Sequence, residues 1–327
     1  MICVIIDSGL NEKYMSNKRI IGTKSFYLEA DEIKESNEII DEDGHGSACF
    51  HILDKYTTNC DFFIIKILKN GKADVRLLHA ALNYCLKIDC DIINLSLAAN
   101  YENSSLDELE NIIRSISNKH IITVASYPNN GRDGYPANSS EVIGVKGILC
   151  DDYNYCDATS LDTGKIILTL NLLPEVTARE NGKYYFFGGN SKATALATAK
   201  IIALLNEFNE SSIDTVFDIL KQNVNDNGNL DRSFDYFDKF LADNIIPSRL
   251  HIRVSTILFE LSNYNVDVYD NLIKLNIISP LNVLDLVRKL EHEFDIRIDD
   301  DKIKFSDFAS VDNIVKLVNN NDKFAIY

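Results

Sequence analysis

Met1-Ile2-Cys3-Val4-Ile5-Ile6-Asp7-Ser8-Gly9 runs an unbroken apolar stretch directly into a carboxylate and a turn. Such a run, without polar alternation, reads as a strand buried on both faces, and Ser-Gly after the acid ends it. Working outward, Phe62–Leu68, Asp91–Leu97, His120–Ser126, Glu141–Ile148 and Lys165–Leu170 read as further strands. Helical patterns stand between them: Gly46–Lys55, Asp74–Lys87, Leu106–Ser117 and Lys192–Phe208. In Asp74–Lys87 the residues Val75, Leu78, Ala81, Leu82 and Cys85 share one face. Residues 11–44 read as polar and irregular. Strands alternating with helices imply crossovers and a mostly parallel sheet, hence an α/β domain flanked by helices. In such sheets the working residues gather at the carboxyl ends of strands.

The length of 327 residues allows two domains, and a hydrophobic share of 46% supports an ordinary core. The net charge of -16 excludes a general nucleic-acid binder, which needs basic surface to displace counterions. The acidic surface favours solubility and the approach of basic peptides. The first apolar run is too short to cross a membrane, and no basic region or cleavage site marks a signal peptide. A cytoplasmic location is expected. The seven cysteines, Cys3, Cys49, Cys60, Cys85, Cys90, Cys150 and Cys156, are odd in number and contain no Cys-x-x-Cys pair. Reduced thiols are expected, and no zinc site.

The chain divides at a change of character near Ile245. Residues 1–243 form the first domain, with Asn225–Gly228 as a turn near its close. Residues 244–327 form a small all-α domain, since from Leu250 the chain lacks Cys and Gly and carries amphipathic helix patterns. No internal repeat is present.

Four polar positions carry chemistry. Asp7 ends the first strand; it is either a turn former before Ser-Gly or a buried carboxylate that needs a partner. His45 lies in Asp43-Gly44-His45-Gly46-Ser47, where flanking glycines permit a sharp turn and close approach. Isolated histidines are commonly structural, and His51, His79, His120, His251 and His292 lack such flanks. Ser191 lies in Gly188-Gly189-Asn190-Ser191-Lys192-Ala193-Thr194-Ala195. It is either an N-cap or a nucleophile at the positive end of a helix dipole. Asn129 lies in Tyr127-Pro128-Asn129-Asn130-Gly131, as a turn residue or an amide donor to an oxyanion.

Taken in order, these motifs resemble the subtilisin-like serine peptidases over residues 1–243, whose triad runs Asp, His, Ser along the chain. Asp91-Ile92-Ile93-Asn94-Leu95-Ser96-Leu97 and Tyr135-Pro136-Ala137 are similar to further family segments. The resemblance implies Asp7, His45 and Ser191 as triad and Asn129 as oxyanion donor. It also implies that Ser96-Leu97-Ala98 pairs with the substrate backbone and walls the S1 pocket, with Gly134 at its base. A glycine there leaves room for a large P1 side chain, whereas Asp133 or Asp152 would select a basic one. The chain departs from the family at Ser47, Asn190, Lys192, Ala195 and Ala98-Ala99. None of these removes a triad member, and the methyl groups of Ala98-Ala99 are expected to narrow specificity. A cation at Lys192 either favours the oxyanion or points to solvent. No inhibitory prodomain is expected before Asp7, so control falls to specificity or recruitment. No calcium site, other metal or cofactor is expected.

Arg249–Asp322 resembles an acyl or peptidyl carrier protein, on Leu281–Ile296 and Phe308–Val318. Pro280 stands where the attachment serine belongs and Ser279 lies one position early, so a docking module without a prosthetic arm is expected. The combined expectation is a sequence-selective serine endopeptidase, acting on a peptide or protein substrate, that removes a leader in peptide natural product maturation. A biosynthetic enzyme would dock through the tail. Two alternatives stand beside it: a transpeptidase that closes a peptide ring with the same residues, and a catalytically silent peptide-binding scaffold, motivated by the changes around Ser191 and Ala98.

Overall fold

The computed structural model describes residues 1–99, 103–130, 132–150, 152, 154–161, 164–178, 184–208, 234–242, 244–299 and 302–321. Gly131 and the turn expected at 225–228 lie outside the described residues. The described chain falls into two compact units. One takes its residues from 1–172, Ala178 and 189–208; the other takes 173–177, 184–188 and the described residues from 234 onward.

The first unit is built on a nine-stranded sheet in the order β3-β2-β4-β1-β5-β6-β7-β9-β8. Its centre is β1 (Ile2–Asp7), β4 (Asp61–Lys66), β5 (Ile92–Leu95), β6 (Ile122–Ser126), β7 (Ile143–Ile148) and β9 (Ile166–Asn171), all parallel. The apolar residues of β1 are buried from Cys3 to Ile6, as an unalternating run requires when both faces are covered. Helices α1 (His45–Tyr56), α2 (Val75–Cys85), α3 (Asn103–Ser117) and α4 (Gly189–Phe208) alternate with these strands. Asp74 accepts a hydrogen bond from the Arg76 amide and so caps α2 one residue before it begins.

Residues 11–44 are not irregular throughout. β2 (Ile20–Glu29) pairs parallel with β4, and β3 (Glu32–Ser36) pairs antiparallel with β2. Ile21, Tyr27 and Ile33 are exposed there, so these edge strands carry little of the apolar signal that marks the central ones. At the other edge β8 (Cys156–Ser160) lies antiparallel to β9 and is equally polar.

The second unit carries the expected helical region: α5 (Arg249–Ser262), α6 (Val283–Phe294) and α7 (Val311–Asn321), with 3-10 turns at Phe234–Phe240 and Phe305–Phe308. Val254, Leu258, Leu286, Leu290, Phe308 and Ile314 form its fully buried interior. It is not purely helical and does not start at 244. A two-stranded sheet of β10 (Glu175–Ala178) and β11 (Tyr184–Phe187) delivers Phe186 into that interior. The Phe186 ring centroid lies 5.5 Å from Phe305 and 6.1 Å from Phe308. Phe237 packs there as well, 5.9 Å from Phe305. These aromatic contacts explain why the boundary moves. Among the described residues no helix is long and apolar enough to cross a membrane.

Candidate active site

Asp7 stands at the end of the central strand and is wholly buried. A carboxylate in that position must be satisfied by donors. The Ser8 amide donates to Oδ1 at 2.7 Å, and the Cys49 thiol lies 3.7 Å from Oδ2. His45 is the first residue of α1, and its Nδ1 meets Asp7 Oδ1 at 2.7 Å. The close approach of α1 to β1 depends on Gly46, where a Cβ would lie 2.4 Å from the Gly9 carbonyl oxygen and 3.2 Å from the Asp7 Cβ. Asp41, also fully buried, holds the turn before α1: its oxygens accept from the Gly44 amide at 2.8 Å and from the Ser47 amide and hydroxyl at 2.8 and 2.6 Å.

Burial alone lowers the His45 pKa, but the Asp7 carboxylate overrides it and holds the imidazole well above its ordinary value. Burial raises the Cys49 pKa, and the Asp7 charge adds to that, so this thiol stays protonated beside the pair.

Ser191 lies in the first turn of α4, not at a helix cap. Its hydroxyl donates to the Ser96 carbonyl at 3.2 Å, and the Ser96 hydroxyl donates to the Ser191 carbonyl at 3.2 Å. His45 and Ser96 in turn line one cleft of about 900 Å³, together with Leu97, Ala98, Leu68 and Val75. Ser96 thus borders both the Ser191 hydroxyl and the cleft that His45 lines. Asn129 reaches the start of α4, where its Oδ1 accepts from the Asn190 amide at 2.9 Å. With the oxygen engaged there, the carboxamide NH2 is the end that can serve a substrate oxygen.

Asn190 appears in the sequence only as a departure beside the serine, and its part in the site emerges from contacts. Its Oδ1 accepts from the Gly147 amide at 2.7 Å, and its Nδ2 donates to the Tyr127 and Pro128 carbonyls at 2.9 and 3.1 Å. It thereby pins the start of α4 to β7 and to the segment that carries Asn129. Asp41 and Cys49 likewise become visible only in space. Lys192 does not point to solvent: it is fully buried.

Ala99 and Tyr135 exchange backbone hydrogen bonds of 2.8 and 3.1 Å, which sets the Gly134 segment beside Ser96-Leu97-Ala98. A Cβ on Gly134 would lie 2.6 Å from the Pro128 ring, so this glycine makes room for Pro128. Asp133 and Asp152 are exposed and neither lines the cleft. Asp7, His45 and Cys49 offer oxygen, nitrogen and sulfur within 4.8 Å of one another, the one set among the described residues able to hold a metal ion. A metal there would take the imidazole nitrogen that Asp7 now holds. The Asp7 carboxylate can hold a protonated imidazole, and the free NH2 of Asn129 can donate to an oxyanion.

No curated protein sequence matches the chain. Among solved structures, a lanthipeptide protease shares the fold with a TM-score of 0.56 and 14% identity, over 70% of this chain and 81% of that one. The epidermin leader peptide processing serine protease from Staphylococcus aureus also scores 0.56, with 16% identity over 70% of this chain and 71% of that one. A cold-adapted subtilisin-like serine proteinase scores 0.50 at 16% identity, over 68% and 81%. At these identities the likeness speaks for the fold alone. The family model described as Subtilase family matches residues 1–236, more than two thirds of the sequence. With that match over the whole Asp-His-Ser frame, the chain belongs to the subtilase family of serine peptidases.

Proposed function

We propose that this peptidase is a cytoplasmic, sequence-selective endopeptidase that removes a leader segment from a peptide precursor. The contact that carries the reading is His45 Nδ1 on the buried Asp7 carboxylate at 2.7 Å, in the cleft whose Ser96 carbonyl holds the Ser191 hydroxyl. In the reaction the Ser191 hydroxyl leaves Ser96, gives its proton to His45 and bonds to the scissile carbonyl carbon. The Ser191 amide and the Asn129 carboxamide take the oxyanion. His45 then protonates the leaving amine, and water repeats the sequence to release the acyl group. Ser96, Leu97 and Ala98 hold the substrate backbone along one wall of the cleft.

Two observations support the narrower part. Solved structures of the same fold include a lanthipeptide protease and an epidermin leader peptide processing protease. An odd number of cysteines without a Cys-x-x-Cys pair suits a reducing compartment. The helical region from Arg249 is read as a carrier-protein-like docking module for a biosynthetic enzyme, without a prosthetic arm because Pro280 occupies the attachment position. Purified protein should react with a fluorophosphonate probe, lose that labelling in Ser191→Ala, and cut a candidate precursor at one bond. Broad digestion of casein without preference for any precursor would remove leader processing from the account. Absent labelling would remove the nucleophile.

A further inference from the structure

Lys69 and Lys72 flank a two-residue turn in which Asn70 and Gly71 both have positive φ, 53° and 68°. Each lysine donates its amide to the other's carbonyl, at 2.9 and 3.2 Å. In a turn of this geometry the flanking side chains stand directly opposite one another on one face, with Cβ atoms about 5.5 Å apart. Like charges in that relation are destabilising. The turn is also fastened to the catalytic segment, since the Gly71 amide donates to Asp43 Oδ2 at 2.9 Å, two residues before His45. Among the described residues no ion pair engages either ammonium, although the chain as a whole carries a net charge of -16. Two like charges set across one hydrogen-bonded turn break a local rule of stability, and such breaks collect at functional sites.

Its position gives the conflict a use. Lys72 lines the cleft that contains His45 and Ser96, and it also lines a second cavity of about 610 Å³ beneath β2 and β3. The two cavities share Ile67, Leu68, Lys72, Ala73 and Asp74 as a common wall. Lys66 and Lys69 belong to the second cavity, as do Glu38 and Glu42. Lys66 is already spent on the Ile40 carbonyl and Asp74 on Arg76, which leaves Lys69 and Lys72 as the cations facing the seam.

We propose that the substrate continues past the first cleft over this seam and that a carboxylate side chain of the peptide binds between Lys69 and Lys72. The site thus selects an acidic residue remote from the cut bond. The proposal rests on the first cleft being the substrate cleft, as argued above. The general field of the protein repels acidic peptides, so only one that places its carboxylate on this pair is admitted; discrimination comes from repulsion elsewhere as much as from attraction here.

The test separates this site from the catalytic reading. A random peptide library is selected on the full Ser191→Ala chain, where nothing can be cut, and enriched sequences are remade with Glu or Asp exchanged for Gln or Asn. The acidic form should bind about tenfold tighter, two exposed charge contacts together, and the advantage should shrink as salt is added. In Lys69→Glu/Lys72→Glu the preference should turn toward Lys or Arg at the same peptide position, while fluorophosphonate labelling of the same double variant with Ser191 intact reports an undisturbed fold and nucleophile. Enrichment without acidic residues, or an acidic preference that survives the double reversal, overturns the proposal. A wild type that binds acidic peptides but never labels would overturn the peptidase mechanism and leave this site standing.

Discussion

At His45 the raised pKa has two consequences of opposite sign. The proposed mechanism needs the neutral ring, so kcat/KM should climb with pH through that elevated value and level off above it. Stability runs the other way. The folded pKa lies above the unfolded value of about 6.5, so the Asp7–His45 pair stabilises fully below about pH 6.5 and loses that contribution as pH rises through the folded pKa. Asp7→Asn should flatten the alkaline loss in denaturant titrations and lower kcat by about 10⁴, because the imidazole loses its orienting acceptor. Stability of this variant that still falls with pH in parallel with wild type would mean that Asp7 does not set the His45 pKa. The motif around His45 is legible in sequence because glycines flank it. The contributions of Asp41 and Cys49 are not, because a carboxylate and a thiol reveal their purpose only through the groups they face.

Among the elements, the strand hairpin of β8 and β9 hides a second titratable group. Lys165 precedes β9, is 4% exposed, and donates to the Ser139 carbonyl at 2.6 Å and to the Val142 carbonyl. Burial pushes its pKa down to about 7, against a partial rescue by Glu110. The sign follows: the unfolded chain holds this proton up to about pH 10.4, so folding is penalised below that value and stability rises from about pH 7 to pH 10, by at most about 1.4 kcal/mol per pH unit. A neutral amine still donates to both carbonyls, so the cost is in the charge alone. In urea melts at pH 7 and pH 9, Lys165→Met should lack this rise, and the wild type should gain on it as pH increases. A constant difference between the two would place the charge in water. The central strands and α1 to α4 are readable from apolar runs and helical spacing, whereas β2, β3 and β8 escape because an edge strand needs no continuous apolar face.

For the whole molecule, the unexpected feature is that the helical unit draws part of its interior from residues 173–177 and 184–188, with Phe186 only five residues before Ser191 in sequence. Phe186→Ala empties a fully enclosed ring position between Phe305 and Phe308 and should cost about 3–5 kcal/mol. Hydrogen exchange read by mass spectrometry should show α5, α6 and α7 losing protection while β1 keeps it. Unchanged protection in those helices would detach the two-stranded sheet from that unit. A chain cut at 244 would also lack Phe237, so a boundary taken from composition alone divides one hydrophobic interior.

By itself the amino-acid sequence determined the parallel α/β frame and the order Asp7, His45, Ser191, since local apolar periodicity and turn chemistry are properties of neighbouring residues. Only the tertiary structure decided that Ser96 links the hydroxyl to the cleft, that Asn190 anchors the start of α4, that Gly134 accommodates Pro128, and that Phe186 serves the second unit. Each of these depends on residues far apart in the chain meeting at a distance of a few ångströms, and no pattern along one strand or helix encodes which remote partner will be there.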